Sequence, residues 1–68
     1  MTFQLEGQEY IELMKLLKFM NLVESGAEAK LVIDEGLVKV NDQVETRRRC
    51  KIRTGDEVKF EGEILVVQ

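Results

Sequence analysis

The run Arg47-Arg48-Arg49-Cys50-Lys51-Ile52-Arg53 concentrates five cations and no acid in seven residues. If this run is extended, Arg47, Arg49, Lys51 and Arg53 point one way and Arg48, Cys50 and Ile52 the other, because side chains alternate along a strand. Cations at alternate positions over about 20 Å suit successive phosphates of a nucleic-acid backbone, which an arginine fork binds through two parallel hydrogen bonds. A solvated basic edge that only deters strand-to-strand pairing would carry the same residues. The surroundings bring the first reading level with the second. The chain has 10 basic and 13 acidic residues, so outside the run five basic residues stand against all 13 acids. An acidic body with one basic patch stays soluble and focuses positive potential in one place.

Little else in the chain has the makings of chemistry. Cys50 is the single cysteine and histidine is absent, which excludes an intramolecular disulfide and a structural zinc site. On the same side as Ile52, Cys50 is expected to act as a small buried hydrophobe; exposed among arginines it would become a reactive thiol. The neighbouring carboxylates Asp34-Glu35 and Asp56-Glu57 fall at a helix end and in a turn, and adjacent residues on a helix do not face each other. With no histidine base, serine elbow or glycine-rich phosphate loop, no catalytic constellation can be assembled. The expectation is a non-enzymatic protein without cofactor, metal or small-molecule substrate. Ser25 and Gly26 open a helix whose bare N-terminal amides can receive a phosphate, although small residues there also permit close helix packing. Phe3, Tyr10, Phe19 and Phe60 sit mostly in core-like positions. Too few aromatics remain for a platform that reads single strands, which points to shape and backbone in folded RNA.

The elements that must position these groups follow from periodicity. Phe3 and Leu5 alternate with polar neighbours as a short first strand. From about Glu9 the pattern turns helical, with Leu13, Leu16, Leu17 and Met20 forming one apolar stripe. Lys15 and Lys18 lie off that stripe, as further candidate contacts. Ser25-Gly26-Ala27-Glu28 fits a capping box, in which the serine hydroxyl accepts from the Glu28 N–H and the Glu28 carboxylate accepts from the Ser25 N–H. Ala29, Val32 and Ile33 supply the buried face of this second helix, and Gly36 ends it. Val38 and Val40 then alternate into a turn at Asn41-Asp42. A three-residue loop through Gln43 would keep Val40 and Val44 on one face, and the pattern favours it. Thr54-Gly55-Asp56 and Glu61-Gly62 turn between strands that carry Val58, Phe60 and Ile64-Leu65-Val66-Val67. The order gives an α+β class: a two-helix N-terminal motif on a small, mainly antiparallel sheet with a hairpin, as one domain over residues 1–68.

A chain of this length buries only about 60% of the surface its unfolded form exposes, so stability rests on an apolar fraction of 44%. The N-terminus lacks the basic and long apolar regions of a signal peptide. No stretch approaches the ~20 apolar residues that span a bilayer. A cytoplasmic location without membrane contact is expected, in keeping with the lone cysteine.

The segment from Ser25 to Asp42 resembles the RNA-binding domain first seen in ribosomal protein S-four and found also in pseudouridine synthases and tyrosyl-tRNA synthetases. Ser25, Ala29, Lys30, Val32, Ile33, Gly36, Val38, Val40 and Asn41 match that family's pattern in register, and Ile52-x-x-Gly55-Asp56-x-Val58 is similar to its closing motif. The likeness covers about residues 9–60. Ser25-Gly26-Ala27-Glu28-Ala29-Lys30 and Glu45-Thr46-Arg47-Arg48-Arg49 also resemble the short, stand-alone bacterial members of the YbcJ type. The resemblance implies binding of structured RNA, ribosomal or transfer RNA and with it the ribosome, through the helix pair and the adjoining strand. It assigns Lys30 the basic position on helix two, and Arg47, Arg49 and Lys51 the basic patch, which the run extends to Arg48 and Arg53. Two departures matter. Glu12-Leu13-Met14 stands where the family has Arg-Leu-Asp, and Gly26 where it often has Arg. Two phosphate contacts are thus lost from the helices, which shifts expected contact onto residues 47–53. The alternative expectation is an adaptor that keeps the fold and binds a protein.

Overall fold

The computed structural model describes all 68 residues. Helix α1 (Leu13–Phe19) and helix α2 (Gly26–Asp34) pack against each other. Each buries one stripe: Leu13, Leu16 and Leu17 from α1, and Ala29, Val32 and Ile33 from α2. Helices of 7 and 9 residues are too short to persist alone in water, so this shared apolar contact is what holds them. Ser25 caps α2, its Oγ accepting from the Glu28 N–H at 3.1 Å. The other half of the expected box is displaced by one residue. The Glu28 carboxylate accepts from the Glu24 N–H at 2.6 Å, because the chain enters the helix fully extended at Ser25 (φ −152°, ψ 165°) and presents the preceding amide.

The strands form two sheets. Strands β1 (Thr2–Phe3), β3 (Val38–Val40), β4 (Gln43–Val44), β6 (Glu57–Phe60) and β7 (Glu63–Val67) make a five-stranded sheet in the order β1-β7-β6-β3-β4. All its pairings are antiparallel except β1 with β7. Strand β2 (Ile11–Glu12) pairs with β5 (Lys51–Ile52) as a separate antiparallel ribbon. The sheet contributes Val38, Val58, Phe60, Leu65 and Val67 to the core. Ile52 of the ribbon joins them fully buried, so the ribbon is tied into the same apolar cluster as the helices. The architecture is the α+β arrangement expected from the pattern.

Three local expectations are corrected. Helix α1 begins at Leu13 and not near Glu9, because the β-branched Ile11 pairs with Ile52 in the ribbon. The hairpin loop has two residues: Val40 pairs with Gln43, and Asn41 (φ 52°) and Asp42 (φ 68°) are both left-handed. That geometry is the type I′ turn whose twist matches the strands it joins. Val44 therefore falls opposite Lys39 and is 56% exposed, with its Cγ1 only 3.4 Å from where a Cβ on Gly36 would stand. Gly36, at φ +74°, thus gives the α2–β3 turn both its left-handed backbone and room for Val44. Finally, residues 47–53 are not one strand. The Cys50 N–H donates to the Arg47 carbonyl at 3.1 Å, closing a turn over Arg48-Arg49 that interrupts the side-chain alternation. Of the aromatics, Phe60 is in the core, while Phe19 is 69% exposed and meets Phe3 edge-on at 5.4 Å.

Asn41 joins the hairpin tip to the turn before β6. Its side chain donates to Asp56 at 2.9 Å and accepts from the Glu57 N–H at 3.0 Å. Asn41→Ala is expected to lose both bonds and to put a residue that resists the left-handed conformation at φ 52°, whereas Asn41→Gly loses the bonds without that strain. Urea unfolding should show the alanine variant less stable than the glycine variant by about 1 kcal/mol.

A basic loop that caps a helix

The first amides of a helix have no partner within it, and Glu12, which precedes α1, makes no side-chain cap. The partners come from the basic loop. The Leu13 N–H donates to the Cys50 carbonyl at 2.9 Å and the Met14 N–H to the Arg48 carbonyl at 3.0 Å. Immediately beyond, Ile52 is buried opposite Ile11. The main chain of residues 48–52 is therefore held from beneath by a helix terminus and a core side chain.

Two of the loop's cations are already engaged. Arg47 meets Glu45 through two of its three guanidinium nitrogens, Nε and Nη2, each at 2.9 Å, and its main-chain N–H donates to the same carboxylate at 2.9 Å. That guanidinium holds the Glu45 carboxyl down to about 2. Arg48 forks onto Asp34 at the end of α2, with its Nε 2.9 Å from one oxygen and a terminal nitrogen on the other. Its hydrogen bonds keep the Asp34 carboxyl below the usual range. Arg48 thus lies over α2, exposed, and not on an inward face with Cys50 and Ile52.

Arg49, Lys51, Arg53 and Lys30 make no ion pair. Arg49 lies between two shallow depressions. One, of about 420 Å³, is bordered by Met14, Lys30, Asp34, Thr46, Arg48 and Arg49. The other, of about 360 Å³, is bordered by Arg47, Arg49, Cys50 and Lys51. Lys30 of α2 is thereby brought to the basic loop. Lys51 and Arg53 alternate on the outer face of the ribbon, and both lie over the Tyr10 ring, at 5.0 and 5.7 Å from its centroid. Of the further candidates, Lys15 pairs with Glu12 at 3.6 Å, and Lys18 stands in the last turn of α1, away from its capped end. Ser25 and Gly26 open α2 at the end opposite Asp34, about 13 Å away at helical rise. None of these four borders either depression.

Cys50 is half-buried, and burial pushes its thiol up, with the Glu45 carboxylate adding to the effect. It is a packing residue rather than a nucleophile. No group of three or more His, Cys, Asp or Glu side chains is placed to hold a metal, and no helix is long and apolar enough to cross a membrane. Sequence reasoning missed Tyr10, and it missed Asp34 and Glu45 as partners of the arginines. The alternation Tyr10-Ile11-Glu12 was the available signal for Tyr10, hidden by assigning those residues to the helix.

The site is thus a pair of short helices with a cation-bearing loop docked on the first helix's N-terminus. The S4 domain family model matches residues 3–68, and the chain belongs to that family. It is 50% identical over 66 residues to the Escherichia coli (strain K12) protein named "Putative RNA-binding protein YbcJ", covering 97% of this chain and 94% of that one. It is 41% identical over 54 residues to "Probable ribosome maturation protein RlbA" of Bacillus subtilis (strain 168), covering 79% and 76%. The solution structure of E. coli YbcJ superposes with a TM-score of 0.75, covering 97% of this chain and 84% of that one. That structure is described as revealing an αL motif involved in RNA binding.

The Glu45–Arg47 contact carries a pH signature. With its folded value held near 2 against about 4.3 in an unfolded chain, Glu45 adds stability above about pH 4.5 that fades as pH falls towards 2. Arg47 is 76% exposed, so the contribution is expected to stay below about 1 kcal/mol. The stability difference between the wild type and Glu45→Gln, measured by urea unfolding, should therefore shrink across that interval.

Proposed function

We propose that the chain binds structured RNA, ribosomal or transfer RNA, mainly through its phosphates. The contact surface is the basic loop, Arg47, Arg48, Arg49, Lys51 and Arg53, together with Lys30 of α2. The observation that carries this reading is that Arg49, Lys51, Arg53 and Lys30 have no carboxylate partner, on a main chain anchored to α1 and the core. Such cations meet a phosphate without first breaking an ion pair or ordering a loop, two costs that weaken binding. Arg47 and Arg48 contribute by exchange. Their guanidiniums lie at the surface, 76% and 47% exposed, where such pairs are worth at most about 1 kcal/mol, so a polyanion can displace the carboxylates.

Family membership and the αL motif described for YbcJ support RNA as the ligand. The name of the B. subtilis relative, which refers to ribosome maturation, favours ribosomal RNA and association with the ribosome. The module acts as one cytoplasmic domain over residues 1–68, as a binder rather than a catalyst.

Binding through phosphates depends steeply on salt, with log K falling by about 0.7–0.9 per phosphate neutralised for each decade of salt. The double variant Arg49→Ala with Arg53→Ala is expected to weaken binding of structured RNA across sequences. It should flatten that slope by about 1.4–1.8, read by filter binding over a salt series. Arg47→Ala should do less, because Arg47 begins engaged with Glu45. An unchanged slope in the double variant, with a stoichiometric protein partner surviving nuclease, would favour the adaptor reading instead. Crosslinking in cells followed by sequencing identifies the RNA.

A further inference from the structure

Tyr10 is half-buried and stands outside every motif that the family likeness rests on. The ribbon register pairs Ile11 with Ile52 and Glu12 with Lys51; one step further along, Tyr10 comes opposite Arg53. Ile11 and Ile52 turn inward, so Tyr10, Glu12, Lys51 and Arg53 share the outer face. Both cations lie over the tyrosine ring, and neither has a carboxylate partner. On the side away from the basic loop, Tyr10 borders an open depression of about 540 Å³ together with Gln8, Glu9, Ile11, Glu12 and Lys15.

We propose that Tyr10, Lys51 and Arg53 form a subsite for one unpaired nucleotide of the RNA, the base stacking on the ring and its flanking phosphates meeting the two cations. The inference rests on the RNA-binding reading above. The chemistry of the depression separates the two parts of the ligand. Glu9 and Glu12 repel a phosphate there, yet their oxygens accept hydrogen bonds from the amino and imino groups of a base. Relative strengths favour the exchange. The two exposed cation–π contacts together are worth about 4- to 25-fold in an equilibrium constant, against about 5- to 150-fold for a base stacked on the ring, and the displaced cations gain the flanking phosphates. A base therefore displaces the cations from the ring, and the cations, already within reach, move onto the phosphates beside it. In the free protein the ring holds Lys51 and Arg53 together at the position where they are needed.

The test compares two hairpin RNAs, one with a single bulged 2-aminopurine nucleotide and its fully paired counterpart. Wild-type protein is expected to bind the bulged hairpin about 10-fold more tightly, with quenching of 2-aminopurine emission as the base stacks. Tyr10 is the only tyrosine and tryptophan is absent, so quenching of the protein's intrinsic emission reports the same event from the other side. Tyr10→Phe should keep the preference, while Tyr10→Leu should bind the bulged hairpin no better than the paired one. A cooperative urea unfolding transition with the wild-type slope serves as the folding control for Tyr10→Leu. Equal weakening towards both hairpins would show that the ring only positions the cations, and no change towards either would remove Tyr10 from the interface; each overturns the subsite. Failure of the RNA-binding reading is distinct, because the Arg49→Ala with Arg53→Ala variant would then leave both affinities and their salt dependence unaltered.

Discussion

Two backbone hydrogen bonds, from the Leu13 and Met14 amides to the Cys50 and Arg48 carbonyls, organise the rest of this molecule. A 7-residue helix has more unpartnered end groups than internal bonds, and leaving buried amides unsatisfied costs about 1–3 kcal/mol each. Without a side-chain cap at Glu12, α1 depends on a segment some 35 residues away in the chain. The loop depends on α1 in turn, since its own residues form only a turn and a two-residue strand. Neither element is stable alone. Ile52 then commits the pair to the core.

This arrangement divides the work between main chain and side chain. Carbonyls of residues 48 and 50 face the helix, and the guanidinium and ammonium groups are left to face solvent. The positive end of the helix is answered by carbonyl dipoles, and Arg49 makes no ion pair although Asp34 borders the same depression, because Arg48 takes up that carboxylate. Of the acids that reach the loop, Glu45 and Asp34 are each taken up by one specific arginine, and Asp56 by the Arg53 N–H and the Asn41 side chain. An acidic protein can in this way keep cations available: its carboxylates are spread over the surface, and those nearby have partners of their own.

The elements were legible in the sequence where local pattern and tertiary demand agree. The α2 stripe, its Ser25 cap, the Val58–Phe60 alternation and the closing strand all follow from short-range rules. Errors arose where a long-range partner overrode the local pattern. Ile11 reads as helical until Ile52 is known to lie beside it. Val44 reads as inward-facing until the left-handed pair Asn41-Asp42 sets a two-residue loop and Gly36 offers it a resting place. For the candidate site, charge density pointed to the loop, and the resemblance to Lys30. Which cations were free was not legible, because Asp34 and Glu45 reach them only through folding. Tyr10 was hidden for the same reason, its partners lying some 40 residues away.

The departures from the family pattern acquire a physical sense in this light. Glu12-Leu13-Met14 supplies no cation at the start of α1, and that start is covered by the loop whose carbonyls cap it. An arginine there would stand beside five other cations on a small surface and would raise the repulsion that the free protein must tolerate. Gly26 likewise leaves the far end of α2 uncharged, at a distance from the loop that one helix length sets. Because the loop's fold is specified by its main chain and by Ile52, its outward side chains are under little structural constraint. They can therefore differ in identity without loss of the fold of the segment that completes the helix.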